Sequence, residues 1–113
     1  MMQFDVAQHG DVVVISLSGD IMGGPDGSTL HNKLHELRSA GSHDVVVDLD
    51  GVRFMNSSGL GMLIGALTTM RNADGDLRLA RVGERVLSLL IITKLVSVFK
   101  HYGTVEEAVE SFG

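Results

Sequence analysis

Two adjacent hydroxyls, Ser57 and Ser58, stand in the run Phe54-Met55-Asn56-Ser57-Ser58-Gly59-Leu60-Gly61-Met62, the stretch of the chain richest in chemistry. A serine hydroxyl can attack an acyl group, cap a helix or accept a phosphoryl group. The first use calls for a Gly-x-Ser-x-Gly elbow and a histidine base, and the residues around Ser57 do not form that elbow. As a cap, either serine would accept an N–H from the first turn of the helix that follows. One serine suffices for that, which leaves the second free, and Ser57 is the better placed to project from the loop. A phosphate there would meet the free N–H groups and positive dipole end of a helix. Cap and phosphate acceptor both stay open on these residues alone.

Other combinations are weaker. His31 and His35 have metal-ligand spacing on a helix, but the intervening Asn32-Lys33-Leu34 lacks the glutamate of a zinc-protease helix. A solvated pair is expected, with no metal. Gly59-x-Gly61-x-x-Ile64 opens like a dinucleotide fingerprint and lacks its third small residue. Neither a cofactor nor an enzymatic activity is expected.

The elements that hold the serines follow from periodicity and turn residues. Gln3–Gln8 alternates weakly, His9-Gly10-Asp11 reads as a tight turn, and Val12–Leu17 is a β-branched strand, so the chain opens with an antiparallel hairpin. Gly19–Gly27 reads as a loose loop. A helix is expected over Ser28–Ala40, a strand over Asp44–Leu49, a short loop over Asp50–Asn56 and a helix over Ser58–Asn72. Leu77–Val82 reads as a strand, Glu84–Ile92 as a well-buried helix and Val98–Tyr102 as a short strand. Thr104 and Glu107 form a capping box for a terminal helix. Alternating strands and helices build a mostly parallel sheet. The expected fold is α/β, one domain over residues 1–113, with a mixed sheet of four or five strands, an antiparallel N-terminal edge strand and about four helices.

The helix after the serines has an unusual outer face. At about 100° per residue, Leu60, Leu63, Ile64, Leu67 and Met70 gather toward the core. The opposite side holds Gly61, Met62, Gly65, Thr68, Thr69 and Asn72, without a charge before Arg71. A solvated face normally carries Lys and Glu, and each interior glycine costs about 1 kcal/mol relative to alanine. Close approach of another backbone would account for both. The alternatives are a docking surface or a cover supplied by the rest of the chain. The apolar run Val86–Ile92 raises a similar question, since Leu87 or Ile91 could extend a binding patch or make a homodimer contact.

Composition bounds the partners. The chain has 113 residues, 44% hydrophobic and 20% charged, with one proline and no cysteine, as expected of an ordered domain without disulfides. A net charge of −5 with scattered Lys and Arg argues against nucleic acid. The start lacks the pattern of a signal peptide, and no apolar segment approaches the roughly 20 residues of a membrane span. A cytoplasmic location without membrane insertion is expected.

The order strand, loop, Asn-Ser-Ser-Gly-Leu-Gly and helix resembles the STAS domain family, and within it the bacterial anti-sigma factor antagonists. The likeness also takes in Leu17-Ser18-Gly19-Asp20, Val45-Val46-Val47-Asp48-Leu49 and the tail residues Val86, Leu90, Leu95 and Phe99. It implies a partner-switching protein. The unphosphorylated antagonist binds an anti-sigma factor that is also a serine kinase and frees a sigma factor. The kinase then phosphorylates a serine, here Ser57 with Ser58 as the lesser candidate, and a metal-dependent serine phosphatase reverses the block. The implied contact surface combines Asp20, Ile21 and Met22 with Asn56, Ser58, Gly59, Gly61, Met62, Gly65 and Thr69. Two positions depart from the family pattern: Asn56 replaces the acidic residue before the serine, and Met22 replaces an acidic residue two after Asp20. A constitutive docking subunit of a transport or sensory complex, and a small-ligand sensor using the Gly19–Gly27 loop, are the alternatives.

Overall fold

The computed structural model describes residues 2–113; Met1, the first residue of the expected domain, lies outside them. Among the described residues the chain runs β1 (Gln3–His9), β2 (Val12–Ile21), α1 (Pro25–Ser39), β3 (Asp44–Met55), α2 (Ser57–Asn72), β4 (Asp76–Ala80), α3 (Glu84–Ile92), β5 (His101–Tyr102) and α4 (Val105–Glu110). Gly10 takes φ 63° in the turn between β1 and β2, a conformation open to glycine at little cost. The sheet order is β1-β2-β3-β4-β5, with β1–β2 antiparallel and the remaining pairs parallel. This is the mixed α/β architecture expected from the sequence.

Parallel strands laid down in chain order put their crossover helices on one face when all crossovers have the same hand. Accordingly α1, α2 and α3 bury Leu30, Leu34, Leu63, Leu67, Val86 and Leu90 on the sheet face that carries Val13, Ile15, Val45, Val47, Leu77 and Leu79. The other face is covered in part by α4, whose Ala108 packs with Val12, Val14, Val46 and Ala80. Thr104 caps α4 and accepts the Glu107 N–H at 3.1 Å, the first half of the expected capping box, while the Glu107 carboxylate accepts from the Thr104 hydroxyl at 3.2 Å.

Several expected boundaries move, each for a physical reason. α1 begins at Pro25 rather than Ser28: Gly24 supplies the entry at φ 65°, and proline suits a first turn whose N–H groups have no intrahelical partner. β2 continues through Gly19 to Ile21, and β3 continues to Met55 where a loop over Asp50–Asn56 was expected. Register shifts between Ser16 and Ser18 and between Gly19 and Asp20 let both strands pass these residues while still paired. β4 covers Asp76–Ala80, ending before Arg81, which takes φ 55°, and β5 shrinks to His101–Tyr102. α3 is not the well-buried helix expected. Only Val86 and Leu90 are buried, while Ile91 and Ile92 are 56% and 78% exposed.

A buried carboxylate ties the strand ends together. Asp48 on β3 accepts from Arg81 Nε at 3.0 Å and from the Asp50 N–H at 3.2 Å, with the Ser16 hydroxyl at 3.5 Å. Burial works to raise the Asp48 carboxyl. The Arg81 hydrogen bonds, the Asp50 N–H, the Arg81 charge and the Ser16 hydroxyl outweigh it and hold the group below the usual carboxylate range. A depressed folded-state value means stability that is full above the unfolded value near 4 and is lost as pH falls through the folded value. Asp48→Asn is therefore expected to lose about 1–2 kcal/mol at pH 7, discounted for the partly exposed Arg81. Urea unfolding at pH 7 and pH 3 should show the gap between variant and wild type narrowing in acid. An equal gap at both values would assign the loss to packing instead.

Candidate functional site

β2 and β3 end side by side, with Ile21 paired to Met55, and the Asn56 N–H continues the ladder by donating to the Ile21 carbonyl at 3.3 Å. There the chain turns into α2. Asn56 is extended, its Oδ1 accepts the Gly59 N–H at 2.8 Å, and its carbonyl accepts the Leu60 N–H at 2.9 Å. Asn56 is thus the N-cap, and the expectation that a serine caps this helix is corrected. Asparagine ranks with aspartate and serine at this position and caps without bringing a charge. Ser57 and Ser58 become the first two helical positions, both exposed, and the cap leaves both hydroxyls unused.

Two residues expected on the contact surface face inward. The Ile21 side chain is fully buried, and Gly59 is buried against its backbone. A Cβ at position 59 would overlap the Ile21 carbonyl oxygen. Gly59 is therefore glycine because α2 starts in contact with the end of β2. Both residues position the surface without belonging to it. Gly23, at φ 82°, does the same from the other side, since a Cβ there would sit 3.0 Å from that of Ser58.

The remaining expected residues lie around the exposed serines. Met22 is 48% exposed, and Asp20 is half-buried, 3.4 Å from the guanidinium of Arg53. On α2, Gly61 and Gly65 are exposed, and a Cβ at either would meet nothing within 4 Å. No other part of the described chain covers them. Met62 is half-buried and approaches Gly27 of α1, where a Cβ would lie 3.5 Å from its Cγ. Thr68 and Thr69 turn their hydroxyls back to the carbonyls of Ile64 and Gly65, both at 3.0 Å, so the outer face presents little free hydrogen-bonding capacity.

Between α1 and α2 this face opens into a groove of about 460 Å³, lined by Gly23, Gly27, His31, Ser58, Met62 and Gly65 among others. Gly27 and His31 were not expected here. The run Gly23-Gly24-Pro25-Asp26-Gly27 carried a signal, since glycines that crowd a helix start keep a groove open, but it read as a loop. His31 and His35 lie edge to face, with ring centroids 4.3 Å apart.

The arrangement suits contact followed by charge-driven release. Ser57 projects at the positive end of a 16-residue helix without a charged residue before Arg71, beside a small-residue face and a groove. A phosphoryl group on Ser57 would be stabilised by the helix terminus and would bring about −1.5 to −2 charge to a helix face that carries none before Arg71.

Comparison with known proteins agrees with this fold. The model of the STAS domain matches residues 3–108. The anti-sigma-B factor antagonist of Staphylococcus epidermidis is 32% identical over 96 residues, which is 83% of this chain and 86% of the relative. The crystal structure of an anti-sigma factor antagonist from Mycobacterium paratuberculosis superposes with a TM-score of 0.82 at 23% identity, over 98% of this chain and 93% of that one. The Bacillus cell fate determinant SpoIIAA in its phosphorylated form gives a TM-score of 0.75 at 19% identity, over 98% and 100%. At these identities the two structures speak for the fold.

Proposed function

Because the chain belongs to the STAS domain family, we propose that it is an anti-sigma factor antagonist switched by phosphorylation of Ser57. In its unphosphorylated form it binds an anti-sigma factor that is also a serine kinase, and the sigma factor is released. Transfer of the γ-phosphoryl group of ATP to the Ser57 hydroxyl by that kinase ends the contact, and a serine phosphatase restores it. The named relative at 32% identity supports the antagonist role. The observation that carries the switch is the division of labour at the start of α2: Asn56 makes the cap, so the exposed Ser57 hydroxyl is free for modification without loss of the helix.

The contact surface consists of Asp20, Met22, Asn56, Ser58, Gly61, Met62, Gly65 and Thr69, with Ile21 and Gly59 behind it. Gly65 provides its test. A Cβ there meets nothing in the chain, so Gly65→Ala should stabilise the isolated protein by roughly 0.5–1 kcal/mol. The same methyl group should hold a close-packed partner off α2 and weaken binding of the anti-sigma factor. Paired thermal melts and binding isotherms would show a rise in stability with a loss of affinity. A rise in both would mean that the partner does not approach this face.

A further inference from the structure

Phe54 and Met55, the residues just before the cap, line a second groove, formed between the end of β3 and Ser88, Leu89 and Ile92 of α3. Its volume is about 480 Å³, close to that of the groove between α1 and α2. Ser58 lines the first groove and Phe54 the second. The short stretch Phe54–Ser58, which contains Ser57, therefore borders both. The large apolar side chains left exposed among the described residues are Val6, Met22, Phe54, Ile91 and Ile92. Phe54 pairs with Asp20 across the β2–β3 ladder, two residues from Met22, and shares the second groove with Ile92. A helix lying on a sheet normally turns polar residues outward, yet α3 ends in Leu89-Leu90-Ile91-Ile92.

We infer that the anti-sigma factor held at Ser57 also seats apolar side chains in the groove between Phe54 and α3. The inference rests on the antagonist reading and enlarges its footprint. One partner is favoured over two by continuity, since the backbone from Phe54 to Ser58 is a single stretch that borders both grooves. The groove is predominantly apolar, with Glu84 and Arg85 offsetting one another at the N-terminal end of α3. It therefore suits an apolar segment of protein better than a charged ligand. This footprint places Ser57 inside the contact rather than at its rim, where an added charge is most costly to desolvate and least screened by water.

Ile92→Glu and Ser88→Arg test this, because both positions are exposed and neither change disturbs the core. The probe is the cognate anti-sigma factor, purified and titrated against the full chain. Each variant should melt as wild type and bind at least tenfold more weakly. If both bind within twofold of wild type while Ser57→Asp has lost binding, the footprint excludes α3 and the antagonist reading stands alone. If neither wild type nor Ser57→Asp binds, the antagonist reading fails and the inference falls with it. Sedimentation of wild type as a dimer that Ile92→Glu converts to a monomer would assign the groove to a second copy and overturn the inference.

Discussion

Ser57→Asp is expected to lower affinity for the anti-sigma factor by at least about 100-fold, close to 3 kcal/mol, while the fold is retained. Fold and binding respond oppositely because of where position 57 lies. As the first residue of α2 it sits at the positive end of the helix, where a carboxylate adds roughly 0.3–1 kcal/mol of stability. Asn56 keeps the cap and Gly59 keeps the contact with Ile21, so nothing else in the turn depends on the serine hydroxyl. In the complex, the same carboxylate would lie one turn from Gly61 on the small-residue face and lose water without gaining a cation from α2. Ser57→Ala should bind like wild type and resist the kinase. Isothermal titration of the three forms, with a thermal melt of each, separates a charge effect from a folding defect. Equal loss in the alanine and aspartate forms would make Ser57 a contact residue rather than a switch.

Gly59→Ala should have the largest effect on the molecule itself. A methyl group at position 59 would overlap the Ile21 carbonyl, a backbone atom held by the Asn56 N–H at the end of the β2–β3 ladder. A flexible side chain could move aside; this oxygen cannot without opening the end of the sheet. The expected cost is about 3 kcal/mol or more, at the upper end for overpacking, a large share of the 5–15 kcal/mol typical of a small domain. The melting temperature should fall on the order of 10–20 °C. Gly61→Ala, two residues on and in open space, serves as the control and should melt at or above wild type. Similar melting temperatures for the two variants would mean that α2 does not start in contact with β2.

The fold was legible where neighbours in sequence determine it. Val12–Leu17 and Asp44–Leu49 declared strands through β-branched residues, Gly10 marked the hairpin turn, and Thr104 with Glu107 declared a cap. Legibility stopped where a conformation depends on residues far along the chain. Asp50-Gly51 has the composition of a turn, yet pairing with Ser18 and the strand beyond it keeps β3 extended to Met55. Asn56 and the two serines are comparable as caps, and only the entry angle set by Ile21 decides among them. The uncharged face of α2 could be read from periodicity, but whether the chain covers it could not. For the groove beside Phe54 the apolar run Val86–Ile92 marked one wall, but its pairing with Phe54 could not be read, because β3 and α3 are separated by α2 and β4.

The central claim is most directly tested by capture from the native cell extract with wild type and Ser57→Asp as paired baits, followed by mass spectrometry of what each retains. The account predicts a serine kinase that acts as an anti-sigma factor on the wild-type bait alone. Recovery of the same transport or sensory protein on both baits would contradict it and make the chain a constitutive docking subunit in which Ser57 carries no signal.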